Sequence, residues 1–428
     1  MSMRAVDTVI IGAGPAGIGA ALPLGEDALV LERAADPGGL SATVTLEGAV
    51  FDLGGHSFHT PHAHVRDVVY GALPMEERRR EAFCHVNGEM IPYPFQQHFE
   101  SLHDAVLVAE CREGLAHANG AGAARNFDEH IALRFGPGIT RHFMRPYNEK
   151  LWGRDLTRLE AAWTAERVAG TAPKATTMEA AGTRAPLRSD ERVAYPAQGG
   201  FGEIFRALAR RLPNVRYGES IVRIDPAKGE VITQSGERIA CRNVVSTLPL
   251  HTLLSAVDAV PASLVESVKQ LVALPLVLVM IAFDGRLESK RQRVYSAEAG
   301  FPGHKIALNH NSSRFLEDLP RHGILVEVSG ANQPHADDAA LIGDVIRGLE
   351  AMELIEPARR VTATRVIRVP LGYPVPTHER ASIVNAAREW LRERRIETVG
   401  RFGEWAYINS DEALHRGMRA GAAIREAG

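Results

Sequence analysis

The sequence is poor in cysteine, in excess charge of either sign and in long apolar runs. Its three cysteines, Cys84, Cys111 and Cys241, are widely spaced and form no Cys-x-x-Cys pair. They cannot all be bridged, which excludes a disulfide scaffold and fits a reducing compartment. Lys plus Arg number 49 against 52 Asp plus Glu, a net charge of −3. Without a basic block there is no electrostatic case for nucleic acid as a partner. The longest apolar run, Leu271 to Phe283, contains Pro275 and falls short of the roughly 20 residues a membrane-crossing helix needs. It reads as a buried strand. No apolar signal core with a small-residue cleavage site opens the chain, so a cytoplasmic protein with no membrane span is expected. Repeats and low-complexity tracts are also missing. What remains is an ordinary globular composition over 428 residues, 45% hydrophobic, long enough for two to four domains.

The clearest pattern comes first. Val6 to Ile11 is an apolar, β-branched run that leads directly into Gly12-x-Gly14-x-x-Gly17. A short helix is expected to about Leu22, stopped by Pro23 and Gly25. Ala28 to Leu31 is a second strand and ends in Glu32. The first glycine permits a tight turn, the second lets a pyrophosphate approach, and the third lets helix and strand pack closely. Glu32 lies about 20 residues on, where an acid meets a ribose hydroxyl. Strand, helix, spacing and acid agree on a dinucleotide site at a helix N-terminus. Arg33 and Gly38-Gly39-Leu40-Ser41 follow. They resemble the glycine pair of two-dinucleotide-domain flavoproteins of the amine oxidase type, where it lies beside the FAD pyrophosphate. A ligand-free turn at Pro37-Gly38 is the plainer reading.

Beyond residue 100 the pattern turns helical, with long segments at Asp104–Ala118 and Ile139–Trp152 and a loop-like stretch at Thr171–Asp190. Phe201, Ile204, Phe205, Leu208 and Leu212 keep helical spacing. Strand-like runs return at Ser220–Asp225, Glu230–Gln234 and Asn243–Thr247. A second sheet is expected from Leu271–Phe283, Gly323–Val328 and Ala363–Val369, and a last helix from about Asp411 to Glu426. The expected fold class is α/β: a doubly wound, Rossmann-like FAD domain built from residues 1–85, 191–255 and 386–428. Residues 86–190 form a mostly helical insert, and 256–385 a substrate domain with an antiparallel sheet.

Several clusters carry chemistry. Asp52-Leu-Gly54-Gly55-His56 suits a turn passing close to a planar ligand, because glycine removes the side chain. His56, His59, His62 and His64 are dense, but no cysteine joins them and no zinc spacing is present, so no metal is assigned. Tyr93-Pro94-Phe95-Gln96 can stack a base and bond its edge, or simply pack as a rigid loop. Phe143-Met144-Arg145-Pro146-Tyr147-Asn148 to Trp152, and Trp163 to Val168, concentrate aromatic, amide and cationic groups. An amphipathic helix surface would explain them blandly, but an Arg fork such as Arg167 suits a diphosphate.

At these motifs the sequence resembles UDP-galactopyranose mutases, more the eukaryotic-type branch than the common bacterial one. Gly372-Tyr373-Pro374-Val375-Pro376 and Gly400-Arg401-Phe402-Gly403-Glu404-Trp405-x-Tyr407 extend the likeness over nearly the whole chain. The resemblance implies an isomerase that interconverts pyranose and furanose forms of a nucleotide-diphosphate hexose. Its FAD must be reduced, with NAD(P)H or another reductant as external donor. The flavin N5 displaces the diphosphate from the anomeric carbon, and the resulting flavin–sugar adduct opens and recloses.

Carried over by motif, the cofactor contacts are Gly12, Gly14, Ala16, Gly17, Glu32 and Arg33, then Gly39, Leu40, Gly54 and Gly55. Val222, Arg401 and Asp411 follow late in the chain, and His56 lies against the flavin near N5. Tyr93, Phe95, Gln96, Phe143, Asn148 and Trp152 surround the base. Arg167, Lys305, Tyr373 and Tyr407 act with His56 as the catalytic set, with Tyr295 and Asn311 beside them on the substrate. Three departures stand out: Lys305 replaces an expected Arg, Ser312 an expected Tyr, and Asp411 an expected amide. They leave open which nucleotide sugar is used, UDP-galactose or a relative such as dTDP-fucose. The alternatives are an oxidoreductase like the amine oxidases and protoporphyrinogen oxidases, or a binder without activity. Self-association as a homo-oligomer is left open.

Overall fold

A computed structural model describes residues 4–118, 124–166, 168, 192–332 and 337–427. Two seven-stranded sheets organise the chain. The first runs Ile221–Asp225, Glu230–Thr233, Arg238–Ser246, Arg4–Ile11, Ala28–Glu32, Val215–Tyr217, with Ile396–Thr398 also paired to Arg238–Ser246. Its central strands are parallel, with Ile11 opposite Ser246 and Ile10 opposite Val30. Strands from residues 4–32, 215–246 and 396–398 thus meet in this sheet.

The first helix, Pro15–Leu24, runs past the expected stop at Leu22 and holds Pro23 in its last turn. A ring there removes only one helical hydrogen bond near the end, and Gly25, at φ 56°, closes the helix. This helix lies on the C-terminal helix Ser410–Ala427, backbone against backbone. A Cβ on Gly417 would stand 2.0 Å from the Ala16 carbonyl oxygen, and one on Gly421 2.1 Å from that of Ala20. Small residues on both sides permit the crossing.

The second sheet runs Val361–Pro374, Ala273–Phe283, Gly323–Ser329, Lys305–Ala307, Arg293–Ser296, Ala82–Val86, Glu89–Pro92. All its pairings are antiparallel except that between Arg293–Ser296 and Ala82–Val86. The hairpin Ala82–Pro92 corrects the expected division: a boundary between 85 and 86 cuts a strand of this sheet. Helices Ala105–Ala116, Phe127–Ile139 and Arg145–Trp152 cover the sheet's end, the last two joined by one π-helical stretch, Thr140–Met144. Among the described residues no helix is long and apolar enough to cross a membrane.

Candidate active site

One cavity of about 890 Å³ runs from the carboxyl ends of the first sheet to the face of the second. At its near end Gly12, Gly14, Pro15 and Ala16 meet Glu32, Arg33, Gly39 and Leu40. Gly12 has φ 99°, and a Cβ there would stand 2.2 Å from Thr247 Oγ1, so the turn demands glycine. Gly14 opens onto empty space. The N-terminal turn of Pro15–Leu24 thus presents its amides to the cavity, the arrangement that holds a pyrophosphate. Glu32 is fixed at the strand end: its carboxylate accepts the Ala13 and Ala34 amides, each at 2.7 Å. Val222 also lines this end. Opposite stand Asn409, Ser410 and Ala413, the start of the long C-terminal helix, whose positive end favours negative charge. The donor set and the glycine cradle fit FAD.

The middle of the cavity is the turn Gly55–Ser57. Its carbonyls face cations from the second sheet: Lys305 Nζ donates to Gly55 O at 3.1 Å, and Arg293 donates to His56 O. A Cβ on Gly55 would collide with Lys305 Cε at 2.7 Å. The His56 ring stacks on Phe201, centroids 5.0 Å apart. Burial first, and then the Lys305 charge, pushes its imidazole down to about 3, so it is neutral. Its Nδ1 has no hydrogen-bond partner among the described residues.

Behind the turn Glu327 joins four groups. It accepts from the Gly55 amide at 2.7 Å and the Tyr373 hydroxyl at 2.7 Å, and pairs with Lys305 at 3.0 Å and His304 at 3.7 Å. Burial would raise its carboxyl, but Lys305, His304 and the Gly55 amide hold it well below the usual range. Burial, then Glu327, raises the Tyr373 hydroxyl, which keeps its proton.

The far end is aromatic and cationic. Phe95, Phe143 and Tyr147 form a stack with centroids 4.9 and 5.2 Å apart. The four-residue spacing of Phe143 and Tyr147 comes from the π-to-α junction. Arg80 lies over the Tyr93 ring at 4.7 Å and donates to the Tyr295 hydroxyl at 2.9 Å. Arg401, held by the Ile408 and Gly372 carbonyls, faces Tyr373 and Tyr407. Gln96 and Asn148 also line the wall.

Several expected contacts lie elsewhere. Asn311 is buried away from the cavity; its amide donates to the Ser289 and Arg291 carbonyls at 2.6 and 2.8 Å, so it braces a loop. Ser312 is buried beside it. Phe95 backs Phe143 without reaching the wall. Trp152 is fully buried and packs edge-on against Trp163 and Tyr407. Gly17 serves packing: a Cβ there would stand 1.8 Å from Gly12 O. Gly54 and Asp411 stand behind the wall, and Arg167 lies outside the described residues. The histidine cluster divides. His56 turns to the cavity, while His62 bonds Glu412 at 2.9 Å and stacks on His415.

The sequence reading missed Arg80, Tyr147, Arg293, His304 and Glu327. Two had a visible signal. Arg293 and Tyr295 alternate on one strand face, and Glu327 is a lone acid in the apolar strand Gly323–Ser329.

The profile of the flavin containing amine oxidoreductases matches residues 16–358. Among solved structures, a reduced UDP-galactopyranose mutase superposes with a TM-score of 0.89 at 26% identity, over 99% of this chain and 94% of that one. A putrescine oxidase bound to putrescine gives 0.72 at 15% identity, covering 99% and 100%. Cyclohexylamine oxidase from Brevibacterium oxydans IH-35A gives 0.71 at 17%, covering 99% of each chain. These two oxidases share the fold with this chain.

Proposed function

The chain belongs to the flavin containing amine oxidoreductase family, and from that premise we propose that it is a nucleotide-sugar mutase. It interconverts pyranose and furanose forms of a nucleotide-diphosphate hexose, UDP-galactose or a relative, with FAD in its reduced form. The observation that carries this reading is the charge on the wall. Arg80, Arg293 and Arg401 line the middle and far cavity beside Lys305, whose charge Glu327 balances, whereas the lining acids, Glu32 and Glu219, belong to the nucleotide end. A substrate amine would enter against positive charge; a diphosphate would be drawn in. The mutase-like superposition over nearly the full chain supports the same reading.

Reduced flavin supplies the nucleophile that this isomerisation needs. The cradle at Gly12, Gly14 and Ala16, with Glu32 on the ribose, holds it. His56, neutral and packed on Phe201, offers a flat, uncharged surface. Tyr147, the outer ring of the stack that Phe143 and Phe95 back, stacks the base, and the amides of Gln96 and Asn148 meet its edge. Arg80, Arg401 and Arg167 keep the expelled diphosphate charge in place. NAD(P)H or another reductant supplies the electrons.

The test is dithionite-reduced protein incubated with UDP-galactopyranose, dTDP-fucopyranose and related sugars, read by chromatography for the furanose. Furanose formation with no net redox change is expected. A panel without furanose, together with oxygen uptake on an amine, would replace the mutase by an oxidase.

A further inference from the structure

Arg293 is a cation in an unusual position. It lines the cavity yet is only 2% exposed. Its guanidinium spends one nitrogen on the Gln292 carbonyl, at 2.6 Å, and another on the His56 carbonyl. Among the described residues no carboxylate pairs with it. Asp52 reaches it through space, but the Asp52 oxygens are taken by Thr43, Tyr195, the Phe201 amide and Asn309. Lys305, its neighbour across Gly55, has Glu327. A guanidinium withdrawn from water without a counter-ion is unfavourable unless a bound ligand supplies the charge.

The place of that charge follows from the wall. Arg293 Nε stands 3.0 Å from the position of a Cβ on Gly55. It therefore presses on the turn that joins the nucleotide cradle to the aromatic end. On the same strand face Tyr295, two residues on, points to Tyr93, Tyr147 and Arg80. Arg293 is thus on the cofactor side of the substrate chamber. The same cavity connects this neck to the cradle at Gly12 to Ala16, so a dinucleotide held there would bring its ring system toward Arg293.

We propose that Arg293 is the counter-charge of the reduced flavin and sets its reduction potential. This rests on the flavin-dependent reading above and assigns a residue to the preference for the reduced form. Two-electron reduction places negative charge on the ring, and a fixed cation nearby favours that form over the neutral oxidised one. The carbonyl bonds of Arg293 hold the cation in register; they do not neutralise it.

The test uses FAD-loaded protein without any nucleotide sugar, so its failure is separable from failure of the mutase reading. Midpoint potentials are read spectroelectrochemically for wild type, Arg293→Met and Arg293→Lys. Methionine is expected to shift the oxidised–reduced equilibrium at least tenfold toward oxidised, about 30 mV more negative for a two-electron couple. Lysine is expected to retain most of the wild-type potential. Should the methionine variant lose its flavin, Arg293→Gln, which keeps a donor for the carbonyls, takes its place with the same expectation. An unchanged potential in the neutral variant overturns the proposal. If UDP affinity then falls, Arg293 serves the substrate; if only flavin content falls, it is a brace for the His56 turn.

Discussion

Removing the Glu327 carboxylate tests the network behind the Gly55 turn. In Glu327→Leu, Lys305 loses an ion pair of 3.0 Å between side chains 18% and 2% exposed. At an effective dielectric of about 20 that contact is worth roughly 5 kcal/mol before desolvation. Stranding one partner of a buried pair costs about 3–5 kcal/mol. The Gly55 amide and the Tyr373 hydroxyl also lose their acceptor, at about 1–3 kcal/mol each. These losses overlap, so a total near 5 kcal/mol is expected, read as the shift in urea unfolding free energy at saturating FAD. Lys305→Met added to Glu327→Leu removes the stranded ion and is expected to recover at least about 2 kcal/mol, since an apolar pair of similar volume replaces a buried ionic one with little loss. A single-variant loss below about 1 kcal/mol, or no recovery in the double variant, would refute the reading of Glu327 as the counter-charge of Lys305.

Other outcomes follow from particular contacts. Arg80→Ala is expected to weaken UDP binding by about 1.5–3 kcal/mol, ten- to a hundredfold, in calorimetry; unchanged affinity removes Arg80 from the diphosphate. Gly417→Ala gains about 1 kcal/mol of helix propensity but drives a methyl into the Ala16 carbonyl. Separation of the two helices is expected to weaken FAD retention in a fluorescence release assay. Asn311→Ala is expected to lower stability by about 1–3 kcal/mol with KM unchanged; a raised KM would return Asn311 to the site. With its pKa lowered from 6.5 to about 3, His56 favours the neutral form when folded. Its linked stability is therefore full above pH 6.5 and lost on acidification from 6.5 toward 3. A His56→Asn variant whose acid unfolding is as steep as wild type across that window would contradict this.

The nucleotide end was legible because each signal there has a local backbone cause. Gly12 needs its positive φ, Gly17 its missing Cβ, and Glu32 its place at a strand end. The long strands of the second sheet were legible as apolar runs. The hairpin Ala82–Pro92 carries a local signal, the Asn87-Gly88 turn at φ 52° and 76°, that the sequence reading passed over; its parallel pairing with the distant Arg293–Ser296 is what no local turn announces. In the far chamber the residue types pointed to an aromatic and cationic wall, but not to which of them face it. Phe95 and Trp152 are as aromatic as Phe143 and Tyr147, and only packing decides which reach the wall. Asn311 looked like a ligand because its true acceptors are backbone carbonyls, which no sequence displays. Arg293 escaped because an arginine in a short strand is ordinarily a solvated edge residue.

The glycine-mediated crossing of Pro15–Leu24 and Ser410–Ala427 reaches beyond packing. The first βαβ unit leaves the ribosome early and its helix meets Glu203–Ala209 midway, but the backbone-to-backbone support arrives only with Ser410–Ala427. Because Asn409, Ser410 and Ala413 also wall the nucleotide end of the cavity, chains stalled upstream of residue 410 are expected to retain FAD less well than the full chain.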